Sequence, residues 1–282
     1  MENKVDLDQF ISNALKEDVG DGDHTSLACV PADEVKKAIL LVKEDGILAG
    51  VEVALEIFRQ IDMELNVDVF MKDGSAIHKG DVAFEVKGNA RSILKAERLV
   101  LNCMQRMSGI ATTTRRYVDL VAGSHCKILD TRKTTPGFRV LEKWAVRLGG
   151  GVNHRFGLYD MIMIKDNHID YAGGIKKAID KTRAYLQETR KQLRIEVEAR
   201  DMDEVREILD AGSVDRIMLD NFTPTRLKEA IALIGNRCET EASGGITEDV
   251  IAEFASTGVD FISVGALTHQ VKSLDLSLKA RT

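Results

Sequence analysis

Asp130-Thr131-Arg132-Lys133-Thr134-Thr135-Pro136-Gly137 places an acid, two adjacent cations and three hydroxyls between the apolar pair Ile128-Leu129 and a Pro-Gly breaker. A guanidinium can grip a carboxylate or phosphate through two parallel hydrogen bonds, while a lysine ammonium acts as a movable point charge. Such a loop expects an anionic ligand, although taken alone a solvated loop with two surface cations is the safer reading. Arg139, Arg155 and Lys165 add cations downstream. Arg155 follows Gly149-Gly150-Gly151-Val152-Asn153-His154, whose glycines allow close backbone approach. Lys165 leaves an apolar run, so a Schiff-base lysine, a phosphate ligand and a stem snorkelling to solvent all fit. Glu198 and Asp220 end two more apolar runs. Carboxylates there could bind Mg2+, orient ribose hydroxyls or act as acid and base, and ion pairing with the cations is the plain alternative. Ser243-Gly244-Gly245 and Ser263-Val264-Gly265-Ala266 resemble paired phosphate cradles at helix N-termini. Of six histidines, His154 is the one expected to touch substrate and His168 to hold its own loop. There is no H-E-x-x-H and no compact ligand cluster along the sequence. Cys103 and Cys126 lie in apolar contexts that suit core packing, not nucleophilic work.

These residues share one kind of position, and that position implies the elements. Strand candidates are Lys127–Asp130, Met161–Lys165, Arg194–Glu198, Arg216–Asp220, Thr240–Ser243 and Phe261–Gly265, separated by helical stretches long enough for crossovers. Each ends on a polar residue or glycine. From Glu198 the ends recur after 22, 23 and 22 residues, at Asp220, Ser243 and Gly265. A single strand-end acid is often only a helix cap. Six strand ends supplying cations, acids and glycines point to one mouth at the C-terminal side of a parallel barrel. Residues 1–120 read differently. An amphipathic segment from Leu7 to Leu15 and an acidic turn cluster at 17–26 precede short β-like runs at Ala38–Val42, Leu65–Phe70 and Val82–Val86. A helix from about Arg91 to Met107 follows, with Ile93, Val100, Met104 and Met107 on one face and a polar stripe of Lys95, Arg98, Asn102 and Arg106 on another. The division expected is a first domain over 1–120 and a barrel over 121–270, with the tail 271–282 able to pack on the first.

The 282 residues are 44% hydrophobic and 30% charged, the balance of a soluble globular protein. The net charge of −6 hides a basic middle. Arg98 to Lys176 carries 13 Lys/Arg against 6 Asp/Glu, a local +7 that leaves −13 elsewhere. That pattern excludes general nucleic-acid binding, which wants a basic domain, and suits a focused site for a small polyanion. No apolar run reaches membrane-span length, no signal-peptide pattern opens the chain, and the four cysteines are dispersed. A cytoplasmic protein is the expectation.

Nine stretches in order now carry a resemblance. They are E-D-V-G-D-G-D-H-T-S at 17–26, L-N-C-M-Q-R-M-S-G-I-A-T at 101–112, D-T-R-K-T-T-P-G-F-R at 130–139, K-W-A-V-R-L-G-G-G-V-N-H-R-F-G-L at 143–158, I-K-D-N-H at 164–168, I-E-V-E at 195–198, M-L-D-N-F at 218–222, E-A-S-G-G-I at 241–246 and S-V-G-A-L-T-H at 263–269. Together the chain resembles the quinolinate phosphoribosyltransferase family. The resemblance implies an N-terminal α/β sandwich domain and an open, incomplete α/β barrel. It implies a homodimer, possibly built into higher assemblies, with shared sites. The implied reaction takes quinolinate and phosphoribosyl pyrophosphate, with Mg2+ and no tightly bound organic cofactor, to nicotinate mononucleotide, pyrophosphate and CO2 in NAD biosynthesis. Implied roles are quinolinate carboxylate binding by Arg106 of a partner, Arg132, His154 and Arg155, with Thr131 beside them. Lys133 and Lys165 would hold quinolinate or pyrophosphate oxygens. Glu198 and Asp220 would hold ribose and metal. Ser243, Gly244 and Gly245, with Gly265 and Ala266, would hold the 5′-phosphate. The competing readings are a paralogous phosphoribosyltransferase with another acceptor, a non-catalytic sugar-phosphate binder and a barrel aldolase.

Overall fold

Alternation of buried and exposed side chains builds one sheet, and continuous burial builds the other. The computed structural model describes residues 2–281, with side chains from Leu7 onward. Its strands, in chain order, are β1 (Val35–Val42), β2 (Gly46–Ile47), β3 (Asn66–Val69), β4 (Ala76–Ile77), β5 (Val82–Asn89), β6 (Lys127–Leu129), β7 (Ile162–Ile164), β8 (Ile195–Ala199), β9 (Arg216–Asp220), β10 (Glu239–Ser243), β11 (Phe261–Ser263) and β12 (Leu276–Arg281). The chain divides into two compact units. One joins 1–115, 134–150 and 266–282, and the other joins 116–133 with 151–265. The boundary expected near residue 120 is therefore not a single cut. The helix Arg139–Leu148 belongs to the first unit because it buries Leu141, Ala145 and Val146 there, although it follows the first strand of the second.

In the first unit β12, β1, β5 and β3 form an antiparallel sheet in that order. Ala38, Leu40 and Val42 alternate inward along β1, and Leu40 faces Leu278 on one side and Phe84 on the other. The helix Val51–Ile61 lays Val53, Ala54, Ile57 and Phe58 inward, and Phe58 meets Phe84 edge-to-face with ring centroids 5.9 Å apart. The last residues thus supply a sheet strand. The helix expected to end near Met107 continues to Leu120, because its apolar stripe goes on through Ile110, Ala111 and Tyr117. Gly109 lets that helix touch another backbone, since a Cβ there would lie 2.3 Å from the Lys272 carbonyl oxygen.

The second unit holds a six-stranded parallel sheet, ordered β6-β11-β10-β9-β8-β7. All six expected strands are present, and the mixed α/β class expected from the sequence is the one observed. Val197, Ile217 and Leu219 are fully buried, each worth ~2 kcal/mol in removed apolar surface. Side chains along a strand alternate between faces, so Glu196 and Glu198, Arg216 and Asp220, and Glu241 and Ser243 share one face. The crossovers start crisply. Asp201 caps Met202–Ala211 by accepting the Asp203 and Glu204 amides, and Thr223 caps Pro224–Ile234, whose proline occupies the first turn.

Candidate active site

The C-terminal ends of the parallel strands gather most of the expected residues within the second unit. Thr131, Arg132, Lys133, His154, Arg155, Lys165, Glu198, Asp220, Ser243, Gly244, Gly245 and Gly265 all belong to it, whereas Arg106 and Ala266 belong to the first. Lys165 Nζ lies 2.7 Å from Glu198 Oε2. Asp220 accepts from Asn221 Nδ2 at 2.6 Å, and its carboxyl is raised by burial and by the Glu198 charge. Two acids thus stand near one ammonium. The group is short of positive charge, and its oxygen donors suit a hard divalent cation that keeps substrate oxygens and water in its shell.

Register fixes the next stretch. Asp220 and Ser243 are cross-strand partners, and the Asn221 amide donates to the Ser243 carbonyl at 2.8 Å. Gly244 has φ +105, and a Cβ on it would lie 2.2 Å from Asn221 Oδ1. Gly245, at φ +60, faces open space. Two successive positive-φ glycines leave this turn without side chains, so a ligand can approach the backbone closely.

On the other flank, Asp130 is buried and ties down the following loop. It accepts the His154 amide at 2.8 Å and Asn153 Nδ2 at 2.6 Å, and Val152 bridges to Leu129. Arg155 donates to the Met161 carbonyl at 3.3 Å and lies 3.6 Å from Met163 Sδ. Burial and the nearby Arg132 guanidinium lower its proton affinity. Two like charges held this close are complementary to an anion. The Lys133 amide donates to Thr131 Oγ1 at 3.0 Å, and the Lys165 amide donates to His168 Nδ1 at 2.9 Å, so His168 does hold its loop.

His154 departs from expectation. Its side chain is only 5% exposed, and both ring nitrogens turn to protein atoms. Nδ1 accepts the Arg155 amide at 2.7 Å, while Nε2 lies 3.1 Å from Glu196 Oε2 and 3.4 Å from Glu241 Oε2. Burial opposes charge on the imidazole, yet the two carboxylates outweigh it and raise it to about 9. Burial and the charge of Glu241 push the Glu196 carboxyl well above the usual carboxylate range, while His154 and Arg216 overcome burial and hold Glu241 low. A second ring proton would have to occupy Nδ1, where the Arg155 amide already points. The extra proton therefore belongs to the His154–Glu196–Glu241 group as a whole. Arg216 completes the cluster, with Nη1 2.9 Å from Glu241 Oε2. No compact histidine cluster shows along the sequence because these residues come from distant segments. The local signal for them is the period-two acid pattern in I-E-V-E and E-T-E-A-S. The three donors lie within 4.8 Å of one another, close enough for a metal, but the Arg216 guanidinium supplies the positive charge there.

In the first unit Arg106 is held in a bidentate grip. Nε and Nη2 donate to Glu142 Oε1 at 2.9 and 2.6 Å, and Nη2 also donates to the Thr268 carbonyl at 2.8 Å. Glu142, fully buried, also accepts the Thr135 amide at 3.2 Å.

A parallel sheet with cations, acids and glycines at its strand ends defines a site for an anionic, phosphate-bearing ligand. Comparison with known proteins agrees. Residues 23–108 match the N-terminal domain and 110–279 the C-terminal domain of quinolinate phosphoribosyl transferase. The chain is 49% identical to the mitochondrial quinolinate phosphoribosyltransferase (decarboxylating) 2b of Nicotiana tabacum, over 98% of this chain and 83% of the relative. It is also 49% identical, with the same coverage, to the chloroplastic nicotinate-nucleotide pyrophosphorylase (carboxylating) of Arabidopsis thaliana. The solved nicotinate-nucleotide pyrophosphorylase of Francisella tularensis superposes with a TM-score of 0.92 at 40% identity, covering 98% of this chain and 96% of that one. The chain belongs to the quinolinate phosphoribosyltransferase family, and it is an enzyme of the phosphoribosyltransferase class.

The relatives overturn one expectation. Cytoplasmic placement rested on dispersed cysteines and the lack of a secretory pattern, but two close relatives are named mitochondrial and chloroplastic. Those features do not select a compartment. Among the described residues no helix is long and apolar enough to cross a membrane.

Proposed function

We infer that this chain converts quinolinate and phosphoribosyl pyrophosphate to nicotinate mononucleotide, pyrophosphate and CO2 in de novo NAD biosynthesis. The observation that carries the reading is the pair of neighbouring guanidiniums, Arg132 and Arg155, beside the Lys165–Glu198–Asp220 group on one strand-end rim. A dicarboxylate satisfies the first set, and a sugar bearing pyrophosphate satisfies the second. Arg132 and Arg155 grip the quinolinate carboxylates, with Lys133 and Thr131 alongside. The pyridine nitrogen attacks C1 of the ribose as pyrophosphate leaves, so no protein nucleophile is required. Glu198 and Asp220 orient the ribose hydroxyls, and Lys165 meets the departing pyrophosphate oxygens. Ser243, Gly244 and Gly245, with Gly265 and Ala266, hold the 5′-phosphate. Loss of the 2-carboxylate as CO2 leaves an electron pair at ring carbon 2, stabilised by the new pyridinium and nearby cations, and a proton then fills that position. Orientation and fixed charge supply the acceleration. Mg2+, when bound with the pyrophosphate, neutralises charge on the leaving group, and Glu198 and Asp220 are the residues that would hold it.

The direct test is incubation with both substrates. Nicotinate mononucleotide and CO2 should appear in equal amounts, and their absence would refute the reading.

Arg106 serves the site of a second copy in a homodimer. Its contacts to Glu142 and Thr268 use Nε and Nη2 and fix the guanidinium plane, which leaves Nη1 to reach a carboxylate of the second copy's ligand. Co-expression of Arg106→Ala with Lys165→Ala, each nearly inactive alone, should restore about one quarter of wild-type activity, because about half of randomly paired dimers then carry one intact site of two. Isolated mixed dimers as inactive as their parents would exclude the shared site.

A further inference from the structure

Parallel barrels fill the space beneath their strand ends with branched apolar side chains. This sheet breaks that pattern with Glu196, Glu241 and Arg216, all buried. Hydrophobic replacements of buried ion pairs are often neutral or stabilising, so the strands themselves do not call for acids here. Neither Glu196 oxygen makes an aligned hydrogen bond, and His154 Nε2 stands 3.1 Å from one of them. What the acids grip is a loop. The His154 amide is fixed on Asp130, its Nε2 is enclosed by Glu196 and Glu241, and its Nδ1 receives the Arg155 amide. Arg216 anchors Glu241 from the other side, and Glu239 in turn accepts from Arg216 at 2.9 Å. The Arg155 guanidinium itself has light tethers, one carbonyl at 3.3 Å and one thioether at 3.6 Å, so its placement depends on its backbone.

We propose that Glu196 and Glu241 are positioning residues for quinolinate: they clamp the His154 ring, and the clamped ring sets the Arg155 backbone so that its guanidinium stands beside Arg132. His154 belongs to the clamp, with no free ring nitrogen for substrate. The inference rests on the reading that Arg155 grips a quinolinate carboxylate.

The test uses full-length Glu241→Gln, Glu196→Gln and Arg155→Ala, each checked for cooperative thermal unfolding, with KM measured separately for both substrates. The isosteric Gln variants probe the clamp independently, so failure of one to fold leaves the other. A misplaced gripping group costs orders of magnitude, so the expected result is a quinolinate KM raised about tenfold or more in all three variants. The KM for phosphoribosyl pyrophosphate should stay within about twofold in the same variants. If Arg155→Ala shows this split while the folded Gln variants keep the wild-type quinolinate KM, or raise both KM values alike, the clamp is refuted and the Arg155 reading stands. If Arg155→Ala leaves the quinolinate KM unchanged, the Arg155 reading falls and the clamp with it.

Discussion

Glu196 and Glu198 sit two residues apart on one face of one strand, in different surroundings. Glu198 pairs with Lys165, whose side chain is 44% exposed, whereas Glu196 meets His154, which is 5% exposed. Water reaches the first pair, so its members can exchange each other for a ligand at modest cost. The second pair is sealed, and removing either member strands a charge. Charge type alone therefore does not separate these two acids; the exposure of the partner does. About 6–7 Å of strand separates an acid paired with an accessible ammonium from one sealed in the interior.

The largest way to break this contrast is Glu241→Ala, which leaves Arg216 half-paired in the interior. Urea unfolding should register a loss of about 3–5 kcal/mol. A loss no greater than that of a surface variant would mean that the cluster is not closed. At the rim, Lys165→Ala should lower kcat/KM about 100- to 1,000-fold, as removal of an electrostatic contact to developing charge does. Its unfolding midpoint should barely move, and a collapse of stability would erase the distinction between the two acids. A pH series sharpens it further. The buried group binds its proton more tightly than the unfolded chain does, with His154 raised from 6.5 to about 9. That contribution is complete below the unfolded value and is lost as pH rises through about 9. The urea midpoint should fall from neutral pH toward pH 9, and less steeply in Glu196→Gln. The smallest effect belongs to Arg206→Ala, which breaks an exposed pair with Asp203 and should leave the midpoint unchanged.

The rim was readable from sequence because each member punctuates an apolar run. Lys165 and Asp220 stand where Met-Ile-Met-Ile and Ile-Met-Leu stop, and Glu198 closes the strand-like Ile-Glu-Val. The clamp was not, because Glu196, Arg216 and Glu241 lie inside or at the start of strands, and a polar residue there reads as an outward-facing side chain. Only the curvature that brings both faces under cover decides that these three point into a sealed interior. The long helix was underestimated for a related reason. Gly109 looks like a stop, yet it is a point of close approach to the Lys272 backbone. The return of Arg139–Leu148 to the first unit left no local mark, since an amphipathic helix does not name the surface it covers.

The pairing of β12 with β1 has a consequence for the order in which the protein can be made. Domains commonly finish folding in the order of their synthesis. Here the unit begun first is completed last, because its sheet waits for residues 276–281 while the whole of 151–265 emerges. At ~5–20 residues per second that wait lasts on the order of ten seconds, during which β1 offers one unpaired edge to any passing strand. The ribosome-bound chain, more than the finished enzyme, is where aggregation should begin.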